Sequence, residues 1–422
     1  MARITLDEIV DPFEAKIVVA GDTARLDLSA LPRLDPILAG RPAAEVPKLV
    51  ERLCGLCPAA HHLAGVRALE ALLGLGVPPA AERVRRLLHH GSVLSVHATR
   101  LALTDKLAAV SLRAFAKQAM AAAGSPGHFP ATAVPGGAVE LGEDALQASQ
   151  ECAGQAADAL ETALRVVGAA AQAAAQSAAQ SAARGPGIQA APGLLDVALV
   201  TGDHLDLYGQ TLRAAHDGKT ILEASDDAVI VEASPGDPAP RPYLAGQGPY
   251  RVGPVAQLRV APLSTPLARQ WQERWLGQGG QDPAWARTII MAHCVEVIKD
   301  LLSHTDQSDT DQAEDSSSAA TAPAAPSQVG TGWVDGARGL LIHRYEAAAW
   351  EADRVLERAR ILTPTAQNEY WLAQLLAQAV ASGELGFEAA IRTADPCLPI
   401  TSAPPGTMKL MVEQLMIEKT EN

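Results

Sequence analysis

Apolar and polar residues alternate within the first fifty positions, in AKIVVAG and ARLDLSA, and turn residues separate the two runs. That period of two predicts a small β-rich cap over 1–50. After Cys57 the spacing becomes helical: LAGVRALEALLGLG carries apolar residues three and four apart. A second run over Ala80–Leu107, including AERVRRLLHHGSVLSVHATRLAL, predicts another helix packed beside the first. SPGHFPATAVPGG, Ser125–Gly137, is a Pro/Gly loop, and the alanine-rich stretch Glu143–Arg184 is helical. From Pro192 to Val260 the pattern predicts strands, in DVALV, DLYGQTL and AVIVEA around the turn HDGK, before helices resume at Pro266.

Ser303–Gln328, SHTDQSDTDQAEDSSSAATAPAAPSQ, is too poor in apolar residues to order itself and predicts a disordered linker. A hairpin over GLLIHRYEAA and DRVLERARILT follows, then a helix over Glu369–Ser382 and a Pro-flanked loop at Cys397. In the final TMKLMVEQLMIEK, Met408, Met411, Leu415 and Met416 fall at helical spacing and predict a terminal helix. The units expected are therefore the cap at 1–50, a helical core at 51–191, a β insertion with helices at 192–302, the linker at 303–328, and a C-terminal unit at 329–422 carrying the hairpin, a helix and the cysteine loop.

Composition narrows the function. With 422 residues, 48% of them hydrophobic, the chain can bury a sizeable core. A net charge of -14 repels a phosphate backbone, and no basic cluster interleaved with aromatics offsets it, so nucleic acid is not an expected partner. No apolar run approaches the roughly 18 residues of a membrane span, and MARITLDEIVDP lacks the cationic then apolar pattern of a secretory signal, which predicts a cytoplasmic location. Five cysteines, an odd number without secretory context, are free thiols or metal ligands rather than a disulfide framework.

The strongest chemical signal is RLCGLCPAAHHLAGVRALE. A Cys-x-x-Cys pair can direct two sulfurs at one metal, Gly55 allows the tight turn between them, and Pro58 suits a first helical turn. Cys57 then lies near a helix N-terminus, where the dipole and free backbone N–H groups favour a thiolate. Metal ligation, thiol redox chemistry and a purely structural pair all use this spacing. His61, one turn after Cys57, either faces the same site or is a packing histidine. His89, His90, His97 and His293 have no ligand-like neighbours in sequence, and Cys152 and Cys294 sit in apolar helical surroundings that mark them as core residues. Near the other end, ADPCLPITSAPPG holds Cys397 between two prolines, beside Asp395, with Ile400 where a second chelating thiol would fall.

With both loops in view the sequence resembles the large subunit of nickel-iron hydrogenases. RLCGLCPAAH matches the motif R-x-C-G-x-C-x-x-x-H, and ADPC matches the start of D-P-C-x-x-C-x-x-H. GHFPATAVPGG, LDLYGQTLRAAHDG, YRVGPVAQLRV, STPLA, ARGLLIHRY and PTAQN resemble family segments in the family's order. The resemblance implies a mainly α, α+β fold: a helical bundle carrying the two cysteine loops on opposite sides of one buried cleft, with small β-rich pieces around it. It implies Cys54 and Cys397 as terminal nickel ligands and Cys57 as a thiolate bridging to an iron that carries cyanide and carbon monoxide.

The departures from the pattern are as informative. Ile400 stands at the other bridging position and Ala403 at the family's closing His, so the tail Pro404–Asn422 is expected to remain in place rather than be trimmed. Asp35 stands at the spacing of the magnesium-binding Glu without its surrounding motif, and the R-I-E-G-H motif with its proton-relaying Glu is absent from IVDPFEAKI. Arg338 and Asp395 match the polar residues lining the family's active-site canopy. A chain missing one bridge resembles the hydrogenase maturation scaffolds of the HupK/HoxV type. The expectation is therefore no hydrogenase activity, an iron cofactor as Fe(CN)2(CO) without nickel, and partners comprising a small HypC-type chaperone, a HypD-type iron-ligand assembly protein and the hydrogenase large-subunit precursor. Two rivals stand: a catalytic hydrogenase subunit with an altered site, and a metal-free structural homologue.

Overall fold

The computed structural model describes residues 14–29, 33, 35–181, 193–237, 240–303, 327–347, 355–380 and 383–415. Nearly all of the predicted linker, 304–326, lies outside them, as do the ends of the alanine-rich run and of the terminal segment. About 50% of the chain is helix and 22% strand in small sheets, the mainly helical α+β class that the resemblance implied.

Within the stretch read as a β-rich cap, strands β1 (Glu14–Ala20) and β2 (Thr23–Leu26) form an antiparallel hairpin, which turns at Gly21 with φ at 62°. Helices α1 (Val46–Val50), α2 (Pro58–Leu73), α3 (Pro79–Leu101) and α4 (Lys106–Ala122) follow. Proline opens α2 and α3 at a position where the missing N–H costs nothing, and Gly74 ends α2 in the left-handed conformation. The run expected as one helix over Ala80–Leu107 is two: Asp105 accepts a hydrogen bond from Ala108 N at 3.0 Å and caps a new helix. The apolar residues Leu103 and Leu107 carry the spacing across the break, but both are exposed there.

Strands β3 (Ala133–Val134) and β4 (Gly137–Ala138) pair within the Pro/Gly loop, ahead of the long α5 (Glu143–Ser181). The β insertion comprises β5 (Leu195–Thr201), β6 (His204–Leu205), β7 (Thr211–His216), β8 (Lys219–Ala224), β9 (Ile230–Glu232), β10 (Pro242–Leu244) and β11 (Tyr250–Arg251). Its main sheet runs β11-β5-β7-β8, with β6 off β5, and β9 pairs β10. DLYGQTL is thus a turn entering β7 rather than one strand, because Gly209 is pressed against the backbone of Val200. Then come α6 (Pro254–Val260), α7 (Pro266–Gly277), α8 (Pro283–Ser303), the antiparallel sheet β12 (Val329–Gly336), β13 (Gly339–Ala347) and β14 (Leu356–Leu362), α9 (Pro364–Gln367), α10 (Glu369–Ala379), α11 (Gly383–Ala394) and β15 (Lys409–Gln414).

The largest core joins α2, α3, α4, α5, α6 and α8 through residues such as Leu63, Leu94, Phe115, Leu164 and Ile290. Strand β12 lies directly on α2, because a side chain at Gly330 or Gly332 would overlap the helix backbone at Ala64 and Ala68. Arg67 locks that contact by donating to the Trp333 carbonyl at 2.8 Å and the Gly209 carbonyl at 3.2 Å. A second core packs β1 and β2 against α10 and α11 and includes Ile400.

The terminal helix expected from Met408, Met411, Leu415 and Met416 is instead strand β15, parallel to β1 from Glu14↔Lys409 to Val19↔Gln414. Met408 and Leu410 face the second core while Met411 is exposed, so a period of two wins over the helical spacing. The open edge of β1 supplies the backbone partners.

Candidate metal centre

Cys54 lies in the turn after α1, and Cys57 is the residue from which α2 begins, with its carbonyl accepting from His61 N at 3.3 Å. The third thiol arrives from the far end of the chain. Asp395, with φ at 44°, turns the backbone sharply out of α11, and Pro396 and Pro399 flank Cys397 before the 3-10 turn Pro399–Ser402. Three elements hold this loop. Thr365 Oγ1 accepts from Cys397 N at 2.8 Å, and Arg100 of α3 donates to Asp395 Oδ1 at 2.8 Å and to both the carbonyl and hydroxyl of Thr401. The Asp395 amide continues α11 by bonding the Ile391 carbonyl at 2.8 Å.

The result brings Cys54 Sγ to 3.7 Å and Cys57 Sγ to 3.8 Å from Cys397 Sγ. All three sulfurs lie within 4.8 Å of one another, the one group of three or more metal-type ligands found among the described residues. Metal–thiolate bonds of ~2.3 Å in a tetrahedron place sulfurs ~3.8 Å apart, so two of the three edges already have the length that one ion would require. No fourth thiol comes from this loop: Ile400, three residues after Cys397, is 1% exposed and packed in the second core, and its aliphatic side chain has nothing to donate. The donor set fits one thiophilic metal with an open coordination position and does not fit a four-thiolate bimetallic centre.

Electrostatics make the same point. Cys54 is held well below the usual thiol range because Cys397 and Cys57 both hydrogen-bond to it, with His61 adding a smaller pull. Cys397 is pushed up to about 12, chiefly by its contact with Cys54 and by burial against an opposing pull from Cys57, and Cys57 is pushed well above its ordinary value by its contacts with both other sulfurs. One thiolate is thus stabilised by two thiols, and a cation is what would let all three ionise. Arg338 lies alongside with its side chain 8% exposed and Nε 3.9 Å from Asp395 Oδ1. Burial works against its charge, but Asp395 and the three sulfurs together hold its pKa above the ordinary value. Asp395 is lowered: burial opposes ionisation, and Arg338, Arg287 and Arg100 overcome it.

His61 is buried beside this site. Its Nδ1 is 3.0 Å from His343 Nε2, and His343 Nδ1 is 2.7 Å from the Tyr345 hydroxyl, a chain that fixes the ring. Asp35 is elsewhere, on the 3-10 turn Asp35–Ile37, with its carboxylate taken by Arg33 and by Ile361 N at 3.2 Å. The Ala403 carbonyl accepts from Arg392 at 2.8 Å. Cys152 is half-buried against the main core and Cys294 fully buried within it, where burial pushes its thiol up. Three of the remaining histidines are partnered: His89 with the Asp335 carbonyl at 3.0 Å, His90 with the Arg86 carbonyl at 2.8 Å, and His293 with Thr265 Oγ1 at 3.0 Å. Sequence spacing missed Arg100, Thr365 and His343. Only the position of His343 in GLLIHRYEAA, directly after the apolar run GLLI, hints at a buried imidazole.

A helical bundle that gathers thiols from two loops 340 residues apart is an architecture that could hold a thiolate-bound metal. Comparison with known proteins makes that specific. The family profile described as nickel-dependent hydrogenase matches residues 33–125. A vhu-type F420-non-reducing hydrogenase subunit of Methanocaldococcus jannaschii is 30% identical, aligned over 89% of this chain and 94% of that protein. The NAD-reducing hydrogenase HoxS subunit beta of Cupriavidus necator is 26% identical over 92% and 91%. A crystal structure of an NAD+-reducing [NiFe]-hydrogenase in the H2-reduced state superposes with a TM-score of 0.75 at 28% identity, covering 90% of this chain and 93% of that one. This chain belongs to the nickel-dependent hydrogenase large-subunit family. No helix among the described residues is long and apolar enough to cross a membrane.

Proposed function

We propose that this chain is a non-catalytic scaffold of the HupK/HoxV type, holding an Fe(CN)2(CO) unit and passing it to a hydrogenase large-subunit precursor. The observation that carries the reading is three thiols at metal-binding separations, with the buried core residue Ile400 three positions after Cys397, where the resemblance implies the second bridging cysteine. Cys54, Cys57 and Cys397 would hold the metal, Arg338 and Asp395 would balance charge beside it, and Thr365 and Arg100 would fix the third ligand's loop. When bound, the metal supplies a centre that carries small strong-field ligands, and three thiolates retain it less firmly than four, which suits delivery. A small HypC-type chaperone and a HypD-type assembly protein are the partners this role requires, in the cytoplasm.

A second reading has its own support. The relatives named above are hydrogenase subunits, and on that ground the chain is a catalytic large subunit with an altered site. A metal-free structural role fits less well, since nothing but ligation requires three thiols to converge.

The experiment is infrared spectroscopy with iron and nickel analysis and a hydrogen-uptake assay, on protein purified anaerobically from cells expressing the maturation machinery. Cyanide and carbonyl bands with iron, no nickel and no uptake are the expected result. Stoichiometric nickel with uptake would establish the second reading, and absence of both bands and metal the structural one. Cys57→Ala is expected to lose the most iron, being the only bridge-type thiol retained; equal iron in variant and wild type would count against the assignment.

A further inference from the structure

Beside the thiol loop, between the C-terminal half of α3, α8 and α11, lies a cavity of about 140 Å³ bordered by His97, Arg100, Arg287, Arg392, Asp395 and Thr401. Its charges do not balance internally. Asp395 is shared by Arg100 at 2.8 Å and Arg338 at 3.9 Å, and Arg392 is answered by Glu388 at 2.7 Å. Arg287 makes no hydrogen bond or ion pair among the described residues, although it is half-buried and also borders a smaller cavity on the Arg338 side of Asp395.

Independently, His97 is 1% exposed and neither ring nitrogen has a partner, whereas His89, His90 and His293 each have one. Burial above all, helped by Arg287, pushes its pKa down to about 3, so the ring is neutral and carries one N–H to donate. An unpartnered buried imidazole in contact with a cavity costs free energy unless something hydrogen-bonds to it.

We infer that this cavity is a binding site for a small oxyanion, a carboxylate or phosphate group held by Arg287 and His97 with Arg100 at its edge. Guanidinium donors recognise planar and tetrahedral oxyanions by charge-assisted hydrogen bonds. The volume is well below the roughly 300–1,000 Å³ of sites for drug-sized ligands, which excludes nucleotides and flavins and leaves a small ion or the acid group of a small metabolite. In a chain of net charge -14 an anion is not attracted by the molecule as a whole, so the local excess at Arg287 is what selects it. The occupant shares Arg100 with Asp395 and therefore adjoins the loop that presents Cys397. The site stands whether or not the thiols carry metal.

The test is calorimetric titration of the full chain with inorganic phosphate, and separately with acetate, in both chelator-treated and metal-loaded protein. One saturable site per chain is expected. Arg287→Gln weakens it at least tenfold with an unchanged unfolding midpoint, Arg287→Lys recovers part of the affinity, and Arg358→Gln on the exposed face of β14 leaves it unaltered. Preference for acetate over phosphate assigns the carboxylate class, and the reverse assigns the phosphate class. Should Arg287→Gln unfold, His97→Gln gives the second reading, with weakened binding again expected. Absence of saturable heat with either anion, or equal affinity in wild type and Arg287→Gln, overturns the assignment.

Discussion

Asp335 offers a test of the fold's electrostatics away from the thiols. It sits near the end of β12, fully buried, with Oδ1 accepting from Gln257 Nε2 at 2.6 Å and Oδ2 from Leu199 N at 3.1 Å. Its own amide donates to the Leu207 carbonyl at 2.8 Å, so the residue ties β12 to β5 and α6. Burial pushes its carboxyl up to about 7, and the two hydrogen bonds only partly oppose this. A folded pKa above the unfolded one means stability fully present below about pH 4 and lost as pH rises through about 7. Between pH 5 and pH 8 that loss integrates to about 2–3 kcal/mol. The buried histidines act in the opposite sense. His89, His97 and His293 are each lowered to about 3, so their contribution is present above the unfolded value and lost as pH falls. Wild-type stability alone would therefore mix the two, and the measurement is a double difference. Urea unfolding of chelator-treated wild type and Asp335→Asn is compared at pH 5, 6, 7 and 8 at constant ionic strength. The amide places a donor against a donor, at a cost of about 1–3 kcal/mol that does not vary with pH. On top of that offset, the variant should gain about 2–3 kcal/mol on the wild type across the range. Parallel curves would refute the reasoning, because they would mean that Asp335 ionises in the folded state as readily as in water.

Other perturbations test the packing that positions the site. Glu70→Gln breaks a buried pair in which Arg85 donates at 2.9 and 2.5 Å, and should cost about 3–5 kcal/mol in urea unfolding; a cost below about 1 kcal/mol would mean the pair is solvated. Gly332→Ala forces β12 off the α2 backbone and should cost about 3 kcal/mol or more, read as soluble yield and unfolding midpoint; a wild-type midpoint would place the strand farther from the helix. Ile400→Cys shortens a core side chain at a cost of about 1–3 kcal/mol while adding a fourth sulfur, so lower stability with more tightly held metal is expected. An unchanged unfolding midpoint in that variant would show that Ile400 is not packed as described.

The thiols were legible because ligation needs particular residue types at short spacing, and Cys54, Gly55, Cys57 and Pro58 state both the chelate and the helix start in one line. That Cys397 joins them came from family resemblance, since no local pattern spans the 340 residues between it and Cys57. The break at Asp105 carried a legible cap but was masked by Leu103 and Leu107, which continue the apolar spacing while facing solvent. The terminal strand was misread for a related reason: Met408, Met411 and Leu415 satisfy a helical spacing, while Met408 and Leu410 satisfy the strand period that the open edge of β1 selects. Arg100, Thr365 and Arg287 were silent. Each matters only through a partner or cavity that the folded chain creates.

The position of β15 bears on how the centre is built. The loop carrying Cys397 is followed, after a short turn, by a strand whose six residues pair in register with β1, and Lys16 reaches Glu413 at 2.7 Å. Six parallel pairs and a half-exposed ion pair are a modest bond, since solvent screens an ion pair at the surface. Their effect is geometric. With α11 on one side and β15 on the other both packed on the second core, the segment from Asp395 to Ala403 is fixed at two ends, and Ile400 is pressed into that core between them. The same anchoring that seats Cys397 near Cys54 and Cys57 therefore also buries Ile400, three residues on, in the second core. The convergence of the third sulfur and the burial of Ile400 are, in this chain, consequences of one packing arrangement.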